Sequence, residues 1–170
     1  SIVSRRVAAL EPAVVSVTIF VSGSAFNVIP GSARLGGTAR SFSPDVRKFL
    51  EESIHEIAMA TAKAYDCEIE IDWQPGYPPT VNHAEESARA VDVAANVLGA
   101  ENIITDLQPS MGAEDFAYML AEQPGSYIWL GAGPAKNGAM LHNDRYDFND
   151  DVLATGASYW ARLVESELPK

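Results

Sequence analysis

Gln74-Pro75-Gly76-Tyr77-Pro78-Pro79 divides this sequence into two patterns, and the fold follows from what lies on either side. Two successive prolines with a glycine nearby end any regular element, because proline has no N–H to donate and fixes its own φ. Before the stretch, Val14 to Ser22 alternates, with Val15, Val17, Ile19 and Val21 on one face and Ser16, Thr18 and Phe20 on the other. A period of two predicts a half-buried strand. A turn-rich connection, Gly23 to Gly31, leads to a second expected strand over about 32–42. There Ala33, Leu35 and Ala39 share one face, and Arg34, Thr38 and Arg40 share the other. Ser43-Pro44-Asp45 is a helix start: Ser caps, Pro suits the first position, and Asp meets the positive end of the dipole. Val46, Phe49, Leu50, Ile54, Ile57, Ala58 and Thr61 then mark one face of a long helix. Ile69, Ile71 and Trp73 alternate with Glu68, Glu70 and Asp72, which predicts a third strand. Residues 1–74 therefore read strand–strand–helix–strand.

After the prolines the pattern changes. A helix is expected from about His83 to Leu98, stopped by Gly99, followed by a short strand at Ile103-Ile104. Met111 to Phe116 leads into a short helix. Ser126 to Leu130 reads as an apolar strand ending in Gly131-Ala132-Gly133-Pro134. The last helix spans about 150–168, with Leu153, Ala157, Trp160, Ala161 and Val164 on one side. Helices alternating with short strands define an α/β class. The expected division is a first domain over residues 1–74 and a second over 75–170.

Bulk properties exclude several partners. The chain has 170 residues, 47% hydrophobic, with 12 basic against 23 acidic side chains and a net charge of -11. Such a balance argues against nucleic acid, whose phosphates require clustered Lys and Arg, and against an anionic membrane surface. No apolar run approaches the ~20 residues that span a bilayer, and no charged-then-apolar leader opens the chain. A single cysteine cannot form an internal disulfide, so a reducing, cytoplasmic compartment is expected. Ser1-Ile2-Val3-Ser4-Arg5-Arg6 reads like the inside of a helix, which suggests a truncated or cleaved chain. Removal of an initiator Met explains the first residue equally well.

Few residues here can do chemistry. Leu141-His142-Asn143-Asp144-Arg145-Tyr146-Asp147 sets one histidine among carboxylates in a polar loop. Imidazole binds metals and titrates near neutral pH, so His142 is the candidate metal ligand or proton carrier. A catalytic zinc site needs three protein ligands and a structural one four, and the spacing of His55, His83, His142 and Cys67 groups none of them. His55 lies among Glu51, Glu52 and Glu56, which predicts a solvated helix face. His83 sits at a helix start, and Cys67 reads as a buried structural thiol. Gly131-Ala132-Gly133 follows a strand, but the third glycine of a dinucleotide fingerprint is absent and a tight turn is the simpler reading. Gly112-Ala113-Glu114-Asp115 places two carboxylates at a helix start. Asn27 and Arg40 could together orient a carboxylate, since Arg offers a fork of parallel donors; a structural pair is the competing account.

Seven stretches in order carry a resemblance. They are Ile2-Val3-Ser4-Arg5-Arg6, Ala25-Phe26-Asn27-Val28-Ile29-Pro30, Gly37-Thr38-Ala39-Arg40-Ser41-Phe42, Gly76-Tyr77-Pro78-Pro79, Ser110 through Tyr118, Leu130-Gly131-Ala132-Gly133, and Leu141-His142 through Asp150. Together they resemble the C-terminal half of an M20-family metallopeptidase or amidohydrolase, of the hippurate hydrolase and N-acyl-amino-acid amidohydrolase type. The set covers nearly the whole chain, and its order is more specific than any one member.

The resemblance implies an α/β catalytic domain with a two-metal site (Zn, Mn, Co or Ni) and an inserted ferredoxin-like lid that forms a homodimer. Residues 1–74 match the lid without its first strand and most of its first helix, and 75–170 match the returning part of the catalytic domain. His142 matches the last metal-ligand histidine. Asn27 and Arg40 match lid residues that hold the substrate carboxylate; Glu114, Gly131 and Gly133 would line the site. The general base and remaining ligands are expected upstream of Ser1, in a missing N-terminal half. The implied substrate is an N-acyl amino acid, a dipeptide or another small amide, with this chain inactive alone. The competing class is a non-catalytic dimerisation or small-ligand-binding module.

Overall fold

A computed structural model describes residues 1–133 and 138–168. The chain divides into two compact units: residues 1–79 with 110–115, and residues 80–109 with 116–170. The division follows Pro79, and the short segment 110–115 joins the first unit although it lies far along the chain. Architecture is mixed α/β, with one two-stranded sheet among the described residues.

The first unit opens with α1 (Ile2–Arg5) and then the hairpin of β1 (Ala13–Ser22) and β2 (Ala33–Ser41). The strands pair antiparallel, Ala13 opposite Ser41 and Ser22 opposite Ala33. The two-residue period of β1 breaks once, because Val17 faces Gly37 while Ile19 faces Gly36 and Thr18 is the extra residue of a bulge. Gly37 is required there: a Cβ at that position would run into the Ser16 carbonyl. The helix α2 (Pro44–Ala64) begins where Ser43-Pro44-Asp45 predicts, with the Ser43 hydroxyl accepting from the Val46 N–H. It packs on β2, and burial is deepest at Leu50 and Ser53. Only the base of the hairpin is covered: Val15, Ala39 and Ser41 are half-buried, whereas Val17, Phe20, Val21 and Leu35 are exposed.

Helix α2 ends in a Schellman motif. Cys67 N–H donates to Ala62 C=O at 2.9 Å and Asp66 N–H to Lys63 C=O at 3.4 Å, with Asp66 in the left-handed region at φ 54°. Residues 69–73 keep the expected alternation in burial only from Ile71 onward, Ile71 and Trp73 half-buried and Asp72 exposed, while Ile69 is exposed like Glu68 and Glu70; they form no strand. A strand exists only where a neighbour supplies ladder hydrogen bonds, and the described backbone brings none here. The exposure of Cys67 corrects the expectation of a buried thiol. His55 is also corrected: it is half-buried, its ring 6.0 Å from that of Trp73 and its Nδ1 2.9 Å from the Glu51 carbonyl.

The second unit is built on α3 (Ala84–Leu98), α4 (Phe116–Glu122) and α5 (Leu153–Glu167), with single 3-10 turns at Ala100–Asn102 and Asp150–Val152. Helices α3 and α5 pack together, and Ala90, Val93, Ala117, Leu120 and Tyr159 form the buried core. The stripe chosen from sequence on α5 is not the covered one. Leu153, Ala157, Trp160, Ala161 and Val164 are exposed, while Val152, Thr155, Gly156, Tyr159 and Leu163 turn inward. Helix α5 is apolar on both sides, so periodicity alone could not choose between them.

The expected strands at 103–104 and 126–130 are absent too. In the second, both peptide groups of Tyr127 are met by a side chain. The Asn82 amide accepts from Tyr127 N–H at 2.8 Å and donates to Tyr127 C=O at 2.9 Å. His83 N–H donates to Gly125 C=O at 3.0 Å, and Gly125 N–H donates to His83 Nδ1 at 3.2 Å. Asn82 and His83 thus do what a neighbouring strand would do. Pro134, the last residue of the expected turn, lies outside the described residues.

Candidate functional site

The His142 loop belongs to the second unit and is closed by one side chain. Asn149 Nδ2 donates to Ala132 C=O at 3.0 Å, while its Oδ1 accepts from Asp151 N–H at 3.1 Å. Asn149 therefore caps the turn that opens α5 and ties it to the residue between Gly131 and Gly133. The signal was in the sequence, since Asn followed by two Asp at a helix start is a capping pattern. Within the loop, Asn143 N–H donates to Met140 C=O and Tyr146 N–H to Asn143 C=O. The Asn143 side chain accepts from Arg145 N–H at 2.9 Å.

His142 itself is exposed and holds φ 67°. A non-glycine residue in the left-handed region carries strain, and such strain gathers where a side chain must be aimed. Gly133 also adopts positive φ, 69°, and both glycines are open, with no atom within 4 Å of where a Cβ would stand. One imidazole cannot hold a metal ion alone, and among the described residues no three His, Cys, Asp or Glu side chains come together as donors. These residues do not make up a complete metal centre.

The first unit holds the remaining candidates. Arg40 is the second-last residue of β2, opposite Val14, and its Nη1 donates to the Met111 carbonyl. Segment 110–115 is thereby fastened to the hairpin base, with Gly112 N–H donating to Ser110 Oγ at 3.2 Å. Glu114 is half-buried and Asp115 exposed. They stand just before α4 rather than in its first turn.

Asn27 is not near Arg40. It lies in the connection beyond Ser22, exposed, whereas Arg40 is at the other end of the hairpin. Ala33 and Arg40 are seven residues apart along β2, roughly 24 Å of strand. Within one chain these two side chains do not converge on one small group. The structure thus brings together Arg40 with the 110–115 segment, and Asn149 with the residue between Gly131 and Gly133.

The strained loop histidine of the second unit and the hairpin arginine of the first stand in a chain whose relatives are hydrolases. The chain belongs to peptidase family M20/M25/M40, whose sequence model matches residues 6–166. It is 38% identical over 164 residues to the hippurate hydrolase of Campylobacter jejuni, covering 96% of this chain and 42% of that protein. It is 31% identical over 164 residues to the N-acetylcysteine deacetylase of Bacillus subtilis, again covering 96% and 42%. Among solved structures it superposes on the YXEP protein of Bacillus subtilis, described as a dinuclear metal-binding peptidase of the M20 family. The TM-score is 0.71 at 28% identity, over 92% of this chain and 43% of that one. The chain thus spans about two fifths of the length of the relatives it matches.

Proposed function

We propose that this chain is part of a metal-dependent amidohydrolase that cleaves the amide bond of an N-acyl amino acid, a dipeptide or a similar small amide. The observation that carries the reading is the alignment of nearly the whole chain with a hippurate hydrolase and a deacetylase. In this reading residues 1–74 belong to a ferredoxin-like lid that pairs two copies, and 75–170 to the catalytic domain. His142 is one ligand of a centre of two divalent ions, Zn, Mn, Co or Ni. Other ligands and the general base belong to a longer protein, so this chain alone turns nothing over.

Arg40 is the substrate-carboxylate contact, its fork able to bind both oxygens. One guanidinium N–H is engaged by Met111, and a carboxylate would be a stronger partner than that neutral carbonyl. Asn27 reaches a substrate only at the far end of the hairpin. Glu114, Gly131 and Gly133 line the site.

The test uses the product of the complete reading frame, loaded with each metal in turn and assayed on hippurate and N-acetyl amino acids. His142→Ala should cut turnover by at least ~10²-fold and lower the bound metal by one ion per chain. Unchanged turnover and metal content would remove His142 from the site. A second reading, a non-catalytic dimerisation or ligand-binding module, is favoured by the lack of a gathered donor set among the described residues. Hydrolysis by the complete product excludes it.

A further inference from the structure

The chain passes between the two units three times, after Pro79, after Pro109 and after Asp115. On the first-unit side, an arginine of that unit holds the backbone carbonyls of each segment involved. Arg47, in the second turn of α2, donates from Nη2 to Gly76 C=O at 2.6 Å and from Nη1 to Tyr77 C=O at 3.3 Å. Arg40 does the same for Met111 within 110–115.

The segment leading to the first passage explains why an arginine is used. In Gln74-Pro75-Gly76-Tyr77-Pro78-Pro79 three of six residues lack an N–H. A ladder cannot fix such a stretch, but its carbonyls remain free to accept. A guanidinium carries several donors in one plane, so it can take two successive carbonyls at once; an ammonium, as a point donor, cannot.

We propose that Arg47 is a hinge anchor: it fixes residues 76–77 to α2, so that rotation between the two units starts only after Pro79. Arg47 is a positioning residue in this role and touches no substrate. The inference does not depend on the hydrolase reading.

The experiment needs two labels on the protein. Cys67 is exposed and is the single cysteine; the second is placed by Ser158→Cys, at an exposed position of α5 in the other unit. Spin labels there report the spread of inter-unit distances. Arg47→Ala should broaden the distance distribution, because the two guanidinium hydrogen bonds that fix residues 76–77 are lost. Arg6→Ala is the control, because it removes a charged contact of the same unit, to Glu56 at 2.6 Å, and should leave the distribution unchanged. Arg47→Lys keeps the charge and should fall between Ala and Arg, which guards against a variant that simply misfolds. An unbroadened distribution in Arg47→Ala, equal broadening in Arg6→Ala, or full wild-type behaviour in Arg47→Lys would each overturn the proposal.

Discussion

Asp66 offers a test of the local energetics whose sign runs against the usual effect of mutation. It occupies the left-handed position that ends α2, at φ 54°, where glycine is the ordinary residue. An L side chain in that region costs ~1–2 kcal/mol, less for Asp because its short side chain bonds locally. Its carboxylate also faces the negative end of the helix dipole, an unfavourable interaction of ~0.3–1 kcal/mol. Asp66→Gly relieves both and loses ~0.4–1 kcal/mol through the greater freedom of the unfolded chain. The net expectation is a gain of ~0.5–1 kcal/mol, a rise in Tm of about 1–4 °C for a protein of this size.

Two further substitutions separate the contributions. Asp66→Asn keeps a residue that tolerates the left-handed region and removes the charge, so it should gain only the dipole part, ~0.3–0.5 kcal/mol. Asp66→Ala removes the charge but not the strain, and should be less stable than Asp66→Gly by ~1 kcal/mol. Urea unfolding monitored by circular dichroism measures all three, with an unchanged m-value showing that the native and unfolded states are otherwise comparable. The reasoning fails if Asp66→Gly is less stable than the parent, or if Ala matches Gly.

Two other outcomes follow from burial. Leu50 is fully buried, so Leu50→Ala should cost ~2–5 kcal/mol, the transfer of three carbons plus the cavity they leave; a loss under 1 kcal/mol in urea unfolding would mean that the interior collapses around the gap. The Tyr159 phenol is raised above its ordinary value of 10.0 by burial, so the unfolded chain ionises first as pH rises. Its contribution is therefore intact below about 10 and is lost as pH climbs toward the folded value. Stability measured from pH 8 to 11 should fall less steeply in Tyr159→Phe than in the parent, and identical slopes would contradict the assignment.

Legibility in the sequence tracked how local each determinant was. The start of α2 was visible because Ser43, Pro44 and Asp45 act within one turn, and the structure keeps the Ser43 cap. Strands β1 and β2 were visible because each carries its own alternation and the connection between them is rich in Gly and Pro. The bulge at Thr18 was not, since it depends on Gly36 and Gly37 across the hairpin. Asn27 and Arg40 were named from sequence as a pair, but pairing is a statement about distance, and β2 carries them apart.

The sequence by itself determined the elements whose signals lie within a few residues, the family through an ordered set of motifs, and His142 as the candidate ligand. Only the tertiary structure decided which apolar stripe of α5 is covered and that Cys67 is exposed. It also showed that residues 69–73 and 126–130 form no strand, and that Arg47 holds the chain where it leaves the first unit. The physical reason is the same in each case. Alternation and periodicity record that one side of a segment prefers to be buried, but hydrogen-bond partners and covering surfaces belong to residues far away in the chain. At Tyr127 that partner proved to be the side chain of Asn82, which no pattern within 126–130 could have announced.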